Sequence, residues 1–278
     1  MSVVTFWSNG EKQTGKTLSM IAIATYMAIE HNYKILVIST GYKDETLDRC
    51  FWKEDRKKKN RGLFGPNTNV AMESGLVGLE KLMRSNKLST ENITNYTKIV
   101  FKGRLEILQN FKGEKEEYDR LKKIYPDIIN LANRHYDLVF VDVDKELDKD
   151  ISEKIINNSN LIVANISQRL ASIDKFIELK EKEPIFNSKK TMLLIGRHDR
   201  FSKYTVKNIS RYMGEKNNVL TIPYNTLFFE ACEEAGVPDL FLRLRKIDAD
   251  DRNGAFIEEV KRAVDNIIYR LQDLSIKI

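Results

Sequence analysis

Short, continuous apolar runs recur along the chain, at Val3 to Trp7 (VVTFW), Lys34 to Ile38 (KILVI), Asp137 to Asp142 (DLVFVD), Leu161 to Ala164, Met192 to Ile195 and Val219 to Ile222. Each is too short for a helix and bounded by polar residues, which suits a strand buried on both faces. Helix-length stretches separate them, beginning with TLSMIAIATYMAIE after Lys16. Strands that alternate with helices build parallel sheets through crossover connections. The expected fold is therefore α/β, a doubly wound, mostly parallel sheet with helices on both faces.

The segment from about residue 46 to 134 is rich in charge and helix formers, with GLVGLEKLM and EEYDRLKKIYPDIINLANR reading as helices. Lys98 to Phe101 and Leu105 to Leu108 read as short strands between them. With no linker and no low-complexity stretch, the expectation is one domain over 1–278 carrying a charged helical insert at about 46–134.

Composition narrows the class. The chain has 278 residues, 42% hydrophobic and 31% charged, enough to bury a core and unlike a disordered or fibrous protein. A net charge of +6 is a weak guide to partners. Its one concentrated patch, Arg56, Lys57, Lys58, Lys59 and Arg61 within KEDRKKKNR, reads as a solvated loop or helix end, with nucleic acid or acidic lipid as the alternative. No apolar run approaches the ~20 residues of a membrane span, and no basic leader precedes a long apolar stretch, so the expected location is cytoplasmic. Cys50 and Cys232 lie far apart without a C-x-x-C partner and read as packing residues rather than a disulfide or zinc framework. With only His31, His135 and His198, a multi-histidine metal site is not expected, and any metal is expected to arrive with a nucleotide.

Between the first strand and the first helix lies Gly10-Glu11-Lys12-Gln13-Thr14-Gly15-Lys16-Thr17, which fits G-x-x-x-x-G-K-[ST]. In this order glycines let backbone amides turn toward phosphates, the following helix N-terminus favours anions, the lysine reaches the β and γ phosphates and the hydroxyl binds magnesium. The expected ligands are ATP and Mg2+. Asp142, at the end of YDLVFVD, is the expected carboxylate partner for the metal beside Thr17, with Asp144 as an alternative.

Together these motifs resemble the MinD/ParA family of deviant Walker A ATPases. The resemblance rests on GEKQTGKT opening the first helix, YKILVIS as second strand, YDLVFVDVD, NSNLIVANISQRLASI, LLIGRHDR and TIPYNTLFFEACEEAGVP, in that order over most of the chain. It implies phosphate contacts from Gly10, Glu11, Lys12, Gln13, Thr14, Gly15, Lys16, Thr17 and Leu18. Around the base it implies Arg197, Pro223 and Tyr224. It also implies an ATP-dependent homodimer that recruits a protein partner for partition or positioning.

The sequence departs from the family pattern in three places. Glu11 stands at the signature-lysine position, with Lys12 and Gln13 at the two glycines, so Lys12 would take the lysine's role one residue late. The second strand ends Ser39-Thr40-Gly41 without the family's D-x-D, leaving Asp44 as the first acid. Gly196 replaces an asparagine often found near the base. Lys16, Lys12 and Asp44 are thus the catalytic candidates. The loss of water-positioning groups beside retained binding groups resembles the atypical TadZ/CpaE-like branch, which implies slow hydrolysis and recruitment to a pole or membrane-bound assembly. A non-catalytic adaptor with a degenerate pocket is the rival, and a partition-type binder of non-specific DNA a third reading.

Three smaller features complete the expectations. Val260, Val264, Ile267, Ile268, Leu271 and Leu274 form one stripe of a C-terminal helix, expected to pack on the sheet rather than to bind membrane. Arg197 and Arg200 read equally as base or partner contacts and as loop charges. His198 is expected to face solvent.

Overall fold

The computed structural model describes residues 1–10, 13–53, 75–214, 219–248 and 250–276. The basic patch Arg56 to Arg61, with Glu11 and Lys12 of the phosphate loop, lies outside the described residues.

The apolar runs form an eight-stranded sheet in the order β3-β4-β2-β5-β1-β6-β7-β8. The strands are β1 (Ser2–Trp7), β2 (Ile35–Ser39), β3 (Lys98–Phe101), β4 (Leu105–Leu108), β5 (Leu138–Asp142), β6 (Leu161–Ile166), β7 (Thr191–His198) and β8 (Val219–Pro223). Every pairing is parallel except β3 with β4. The tight Phe101–Arg104 turn makes that antiparallel pair possible, whereas each parallel pair needs a crossover.

Successive side chains point to opposite faces, so the continuous apolar runs feed two cores at once. On one face Val4, Phe6, Val37, Phe140, Val163 and Leu194 join one cluster. Val3, Leu36, Ile38, Val139 and Val141 supply a second cluster on the other face, and Ile162, Ala164 and Ile195 a third. The first face is covered by α1 (Lys16–Glu30), α2 (Thr46–Phe51), α9 (Thr226–Glu233), α10 (Val237–Leu244) and α11 (Arg252–Ile276). α1 packs against the sheet and against α2, α10 and α11, which explains why its sequence is apolar nearly all round. The opposite face carries α3 (Gly75–Arg84), α4 (Lys115–Leu121), α5 (Tyr125–Ala132), α6 (Lys149–Asn157), α7 (Leu170–Lys182) and α8 (Val206–Tyr212).

Within 46–134, β4 is an interior strand beside β2, so this charged segment supplies part of the sheet itself. In α11, Val260, Val264 and Ile267 are buried in the first core, with Ile268, Leu271 and Leu274 packed against it. The C-terminal stripe is thus spent on the sheet. No helix among the described residues is long and apolar enough to cross a membrane.

The buried side chain of Glu106 on β4 accepts hydrogen bonds from Tyr136 (2.6 Å) and Thr97 (2.7 Å), which satisfy a polar group held away from water. Burial is the leading cause that raises the phenols of Tyr26, to about 12, and of Tyr118, Tyr125 and Tyr136. An unfolded tyrosine loses its proton near pH ~10, so above that pH the unfolded chain releases protons first. The folded chain should therefore lose stability steadily as pH rises above ~10, in urea titrations followed by circular dichroism across that range. A flat stability profile there would contradict the burial of these phenols.

Candidate nucleotide site

The site lies at the C-terminal ends of β1, β2, β5, β7 and β8. Connections leave β1 to one side through α1 and reach β6 on the other through α6, which makes the end of β1 a switch point of the kind where open α/β sheets bind ligands. The chain turns as soon as β1 ends, with Gly10 N donating to Ser8 O at 2.8 Å. Gly10 and Gly15 adopt left-handed φ angles of 67° and 73°, which glycine reaches without a Cβ clash. Gln13, standing at a position where glycine was expected from the resemblance, adopts the same backbone with φ 65°.

Gly15 is the N-cap of α1, and neither a side-chain cap nor an acidic residue occupies the helix's first turn. Its N–H groups and the positive end of its dipole therefore face the loop. Lys16 and Thr17, the first residues of α1, converge on Asp142. Lys16 Nζ lies 2.6 Å from Asp142 Oδ1, and Thr17 Oγ1 donates to Asp142 Oδ2 at 2.6 Å. Lys16 also donates to the Val143 carbonyl. The carboxylate is only 3% exposed, held level with Phe6 and Ser39 by the register of β5 with its neighbours. A hydroxyl beside a carboxylate suits a small oxygen-seeking divalent cation. An ammonium at an uncapped helix N-terminus suits phosphate. The donor set thus fits a magnesium nucleotide.

Asp44, the first acid after β2, holds a turn. Its Oδ1 accepts from Thr46 N at 2.9 Å at the start of α2, and its carbonyl accepts from Asn110 Nδ2 at 2.7 Å. Asp144 Oδ1 likewise accepts from Glu146 N at 2.7 Å. Thr40, which sequence reading passed over, bridges the ends of β2 and β5. Its hydroxyl donates to Asp142 O at 3.2 Å and accepts from Asp144 N at 2.8 Å. A threonine after a strand carries no signal of that role; only the β2–β5 pairing creates it.

Gly196 has a physical reason of its own. A Cβ there would stand 2.2 Å from Thr14 O and 3.1 Å from Gly15 Cα, so the phosphate loop rests directly on the end of β7. The register of β7 with β8 shifts between Gly196 and His198, a bulge that leaves Arg197 as the extra residue with φ 53°. The Arg197 stem lies against Gly15, and its guanidinium lies over the Tyr224 ring at 5.8 Å. With Leu18, Pro223, Tyr224 and Phe229 it lines a small hollow of about 20 Å³ beside Gly15. Arg197, Pro223 and Tyr224, expected around the base, thus lie together beside the loop between β1 and α1, and Leu18, expected among the phosphate contacts, lies with them.

A larger cavity of about 800 Å³ runs along β8 and α11 and shares Pro223 and Tyr224 with that hollow. His198 lines it, which corrects the expectation of a solvent-facing side chain. The ring is half-buried, and its Nε2 is buried without a hydrogen-bond partner among the described residues. Burial, opposed by Glu259 and Asp199, lowers its pKa, so the neutral ring is favoured.

No protein-family model and no curated protein matches the chain. Solved structures do match its fold. A ParA family ATPase from Chlorobium tepidum TLS is 14% identical, with 95% of this chain and 97% of that one aligned at a TM-score of 0.66. The septum site-determining protein MinD complexed with Mg-ADP, from Pyrococcus horikoshii OT3, is 12% identical over 96% and 97% of the two chains at a TM-score of 0.66. A putative plasmid partition protein bound to AMPPNP, from Borrelia burgdorferi B31, is 15% identical over 99% and 98% at a TM-score of 0.58. The sheet order, the helices on both faces and the loop between β1 and α1 define a P-loop NTPase fold. Within that class the architecture is the one shared by ParA and MinD ATPases.

Replacing Gly196 with alanine forces its methyl into the Thr14 carbonyl, and overpacking of this kind costs about 1–3 kcal/mol. The Gly196→Ala chain should unfold at correspondingly lower urea concentration with an unchanged m-value. Native-like stability would show that the loop does not rest on β7.

Proposed function

We propose that this chain is an ATP-dependent switch. Gly10, Gln13, Thr14, Gly15 and the first turn of α1 cradle the phosphates, Lys16 neutralises them, and Thr17 with Asp142 holds magnesium. Leu18, Arg197, Pro223 and Tyr224 surround the base. The carrying observation is the convergence of Lys16 and Thr17 on the two oxygens of Asp142, each at 2.6 Å, at an uncapped helix N-terminus. The nucleotide-bound states of the MinD and partition-protein structures support the same reading.

When bound, the magnesium nucleotide supplies an activated phosphoryl group and the binding free energy that biases one conformation over another. The chain's own part is to bind and to relay. Phosphate competes with Asp142 for the Lys16 ammonium, and the Thr40 hydroxyl, bonded to the backbone on both sides of Val143, links that exchange to the end of β2. Gly41 carries no acid and the Asp44 and Asp144 carboxylates hold turns, so hydrolysis in this proposal is slow.

The proposal extends to a single domain over 1–278, with Glu11 and Lys12 completing the loop and Lys12 reaching across an ATP-dependent homodimer. In this proposal the chain itself is cytoplasmic and recruits or positions a protein partner at a pole or membrane-bound assembly, as in the TadZ/CpaE-like branch, with Arg56 to Arg61 as the contact should DNA be involved. A non-catalytic adaptor is the second reading, favoured by the missing acid at Gly41.

Calorimetric titration of Mg-ATP into the native chain and into Lys16→Ala tests the reading, with light scattering of the same samples. The native chain should bind saturably and double in mass, and the substitution should weaken binding by at least ~10-fold, the worth of a charge-assisted hydrogen bond. Binding by neither chain would reject the switch in favour of the adaptor.

A further inference from the structure

The chain has two cysteines, and the fold brings them together. Cys50, on α2, is 0% exposed and Cys232, on α9, 2% exposed, both as free thiols in the first core. The helices pack side by side, and the residues adjoining the cysteines also meet, with Arg49 Nη1 3.5 Å from Glu233 Oε2. The Cys50 thiol lies within hydrogen-bonding reach of Cys232 and also donates to Thr46 O at 3.1 Å. No cluster of three or more metal-ligating side chains exists among the described residues, so the pair is a dithiol rather than part of a metal centre. Hydrophobic packing calls for small apolar volume at each position, but it does not call for the chain's two sulfurs to be neighbours.

We propose that Cys50 and Cys232 form a redox-sensitive pair that closes into an intramolecular disulfide, cross-linking α2 to α9. The oxidant is a low-molecular-weight disulfide. One cysteine, as thiolate, attacks a sulfur of the reagent and releases one reagent thiolate, leaving a mixed disulfide. The second cysteine then attacks the protein-bound sulfur and releases the other reagent thiolate. The two protein thiols together give up two electrons and two protons, and the reagent leaves as two thiols. Contact with Cys232 and burial push the Cys50 thiol up, so its thiolate is scarce in the closed fold. Closure therefore waits on a local opening of α2, a six-residue helix without a side-chain cap, and becomes faster with rising pH.

The bond would join two walls of the site. α2 follows the segment from Thr40 to Asp44 beside Asp142, and α9 begins at Thr226, capped by Asn225, which directly follows Tyr224. Because the cysteines are distant in sequence, the cross-link also closes a long loop of the unfolded chain and raises stability.

The test uses the full native chain, incubated with excess oxidised glutathione in mildly alkaline buffer, then alkylated with N-ethylmaleimide in denaturant and weighed by intact mass spectrometry. The expected product is a monomer two hydrogens lighter, carrying no alkyl group and yielding one peptide that links Cys50 to Cys232. It should melt about 5 °C or more above the reduced chain, revert with dithiothreitol, and be the main product from folded protein, whereas the urea-unfolded chain, its thiols exposed but apart, should give mainly glutathione adducts. Cys232→Ser should stop at a glutathione adduct or remain reduced; because the native chain alone gives the mass result, misfolding of that variant leaves the test decisive. Full alkylation of both thiols, stable mixed disulfides without closure, interchain dimers, or the same share of closed product from folded and unfolded chains would each overturn the proposal.

Discussion

The parallel register of β1 with β5 sets Asp142 level with Phe6, just where β1 gives way to the loop. Everything at the site depends on that alignment. A register one residue longer or shorter would move the carboxylate by about 3.3 Å along the strand and turn it to the opposite face of the sheet, out of reach of the first turn of α1. The alignment is fixed by burial on both faces. Val139 and Val141 must enter one core while Leu138 and Phe140 enter the other, so no slipped arrangement satisfies both.

The strands were legible because a strand buried on both faces writes itself as an uninterrupted apolar run, and the meeting of Lys16 and Thr17 with Asp142 because a local backbone pattern and a strand end set their places. The order of the strands was not. That β5 slots between β1 and β2, and that β4 enters the interior of the sheet, depends on crossovers whose routes no local pattern encodes. The same holds for residues whose meaning is contact. Gly196 looked like a lost asparagine and is the floor under the loop; Cys50 and Cys232 looked unrelated and are neighbours; His198 looked solvated and sits half-buried beside a cavity. Asp44 shows the converse. Its place in the sequence suggested chemistry, while its carboxylate in the structure caps a turn.

The polar groups at the strand ends form a connected set rather than a scatter of charges. Thr40 ties β2 to β5, Asn110 reaches Ser39 at 3.2 Å and the Asp44 carbonyl at 2.7 Å, and Tyr118 donates to the Thr40 carbonyl. Such a network is costly to leave half-satisfied in a low-dielectric interior, so a change at one member is felt at the others. It gives the segment between β2 and α2 a defined shape although no regular element runs through it.

The bulge at Arg197 reaches beyond the loop it adjoins. An inserted residue reverses the parity of a strand, so that side chains after it point the opposite way from those an unbroken strand would present. Arginine holds a left-handed backbone here that glycine would adopt without penalty, and the guanidinium gains its place over Tyr224 at that expense. Arg197 and His198, consecutive in sequence, accordingly face different surroundings: the arginine lies over Tyr224 and against Gly15, and the histidine lines the cavity along β8 and α11. Which side chain at this end of β7 faces the loop between β1 and α1 is therefore set by the count of residues as much as by their kind.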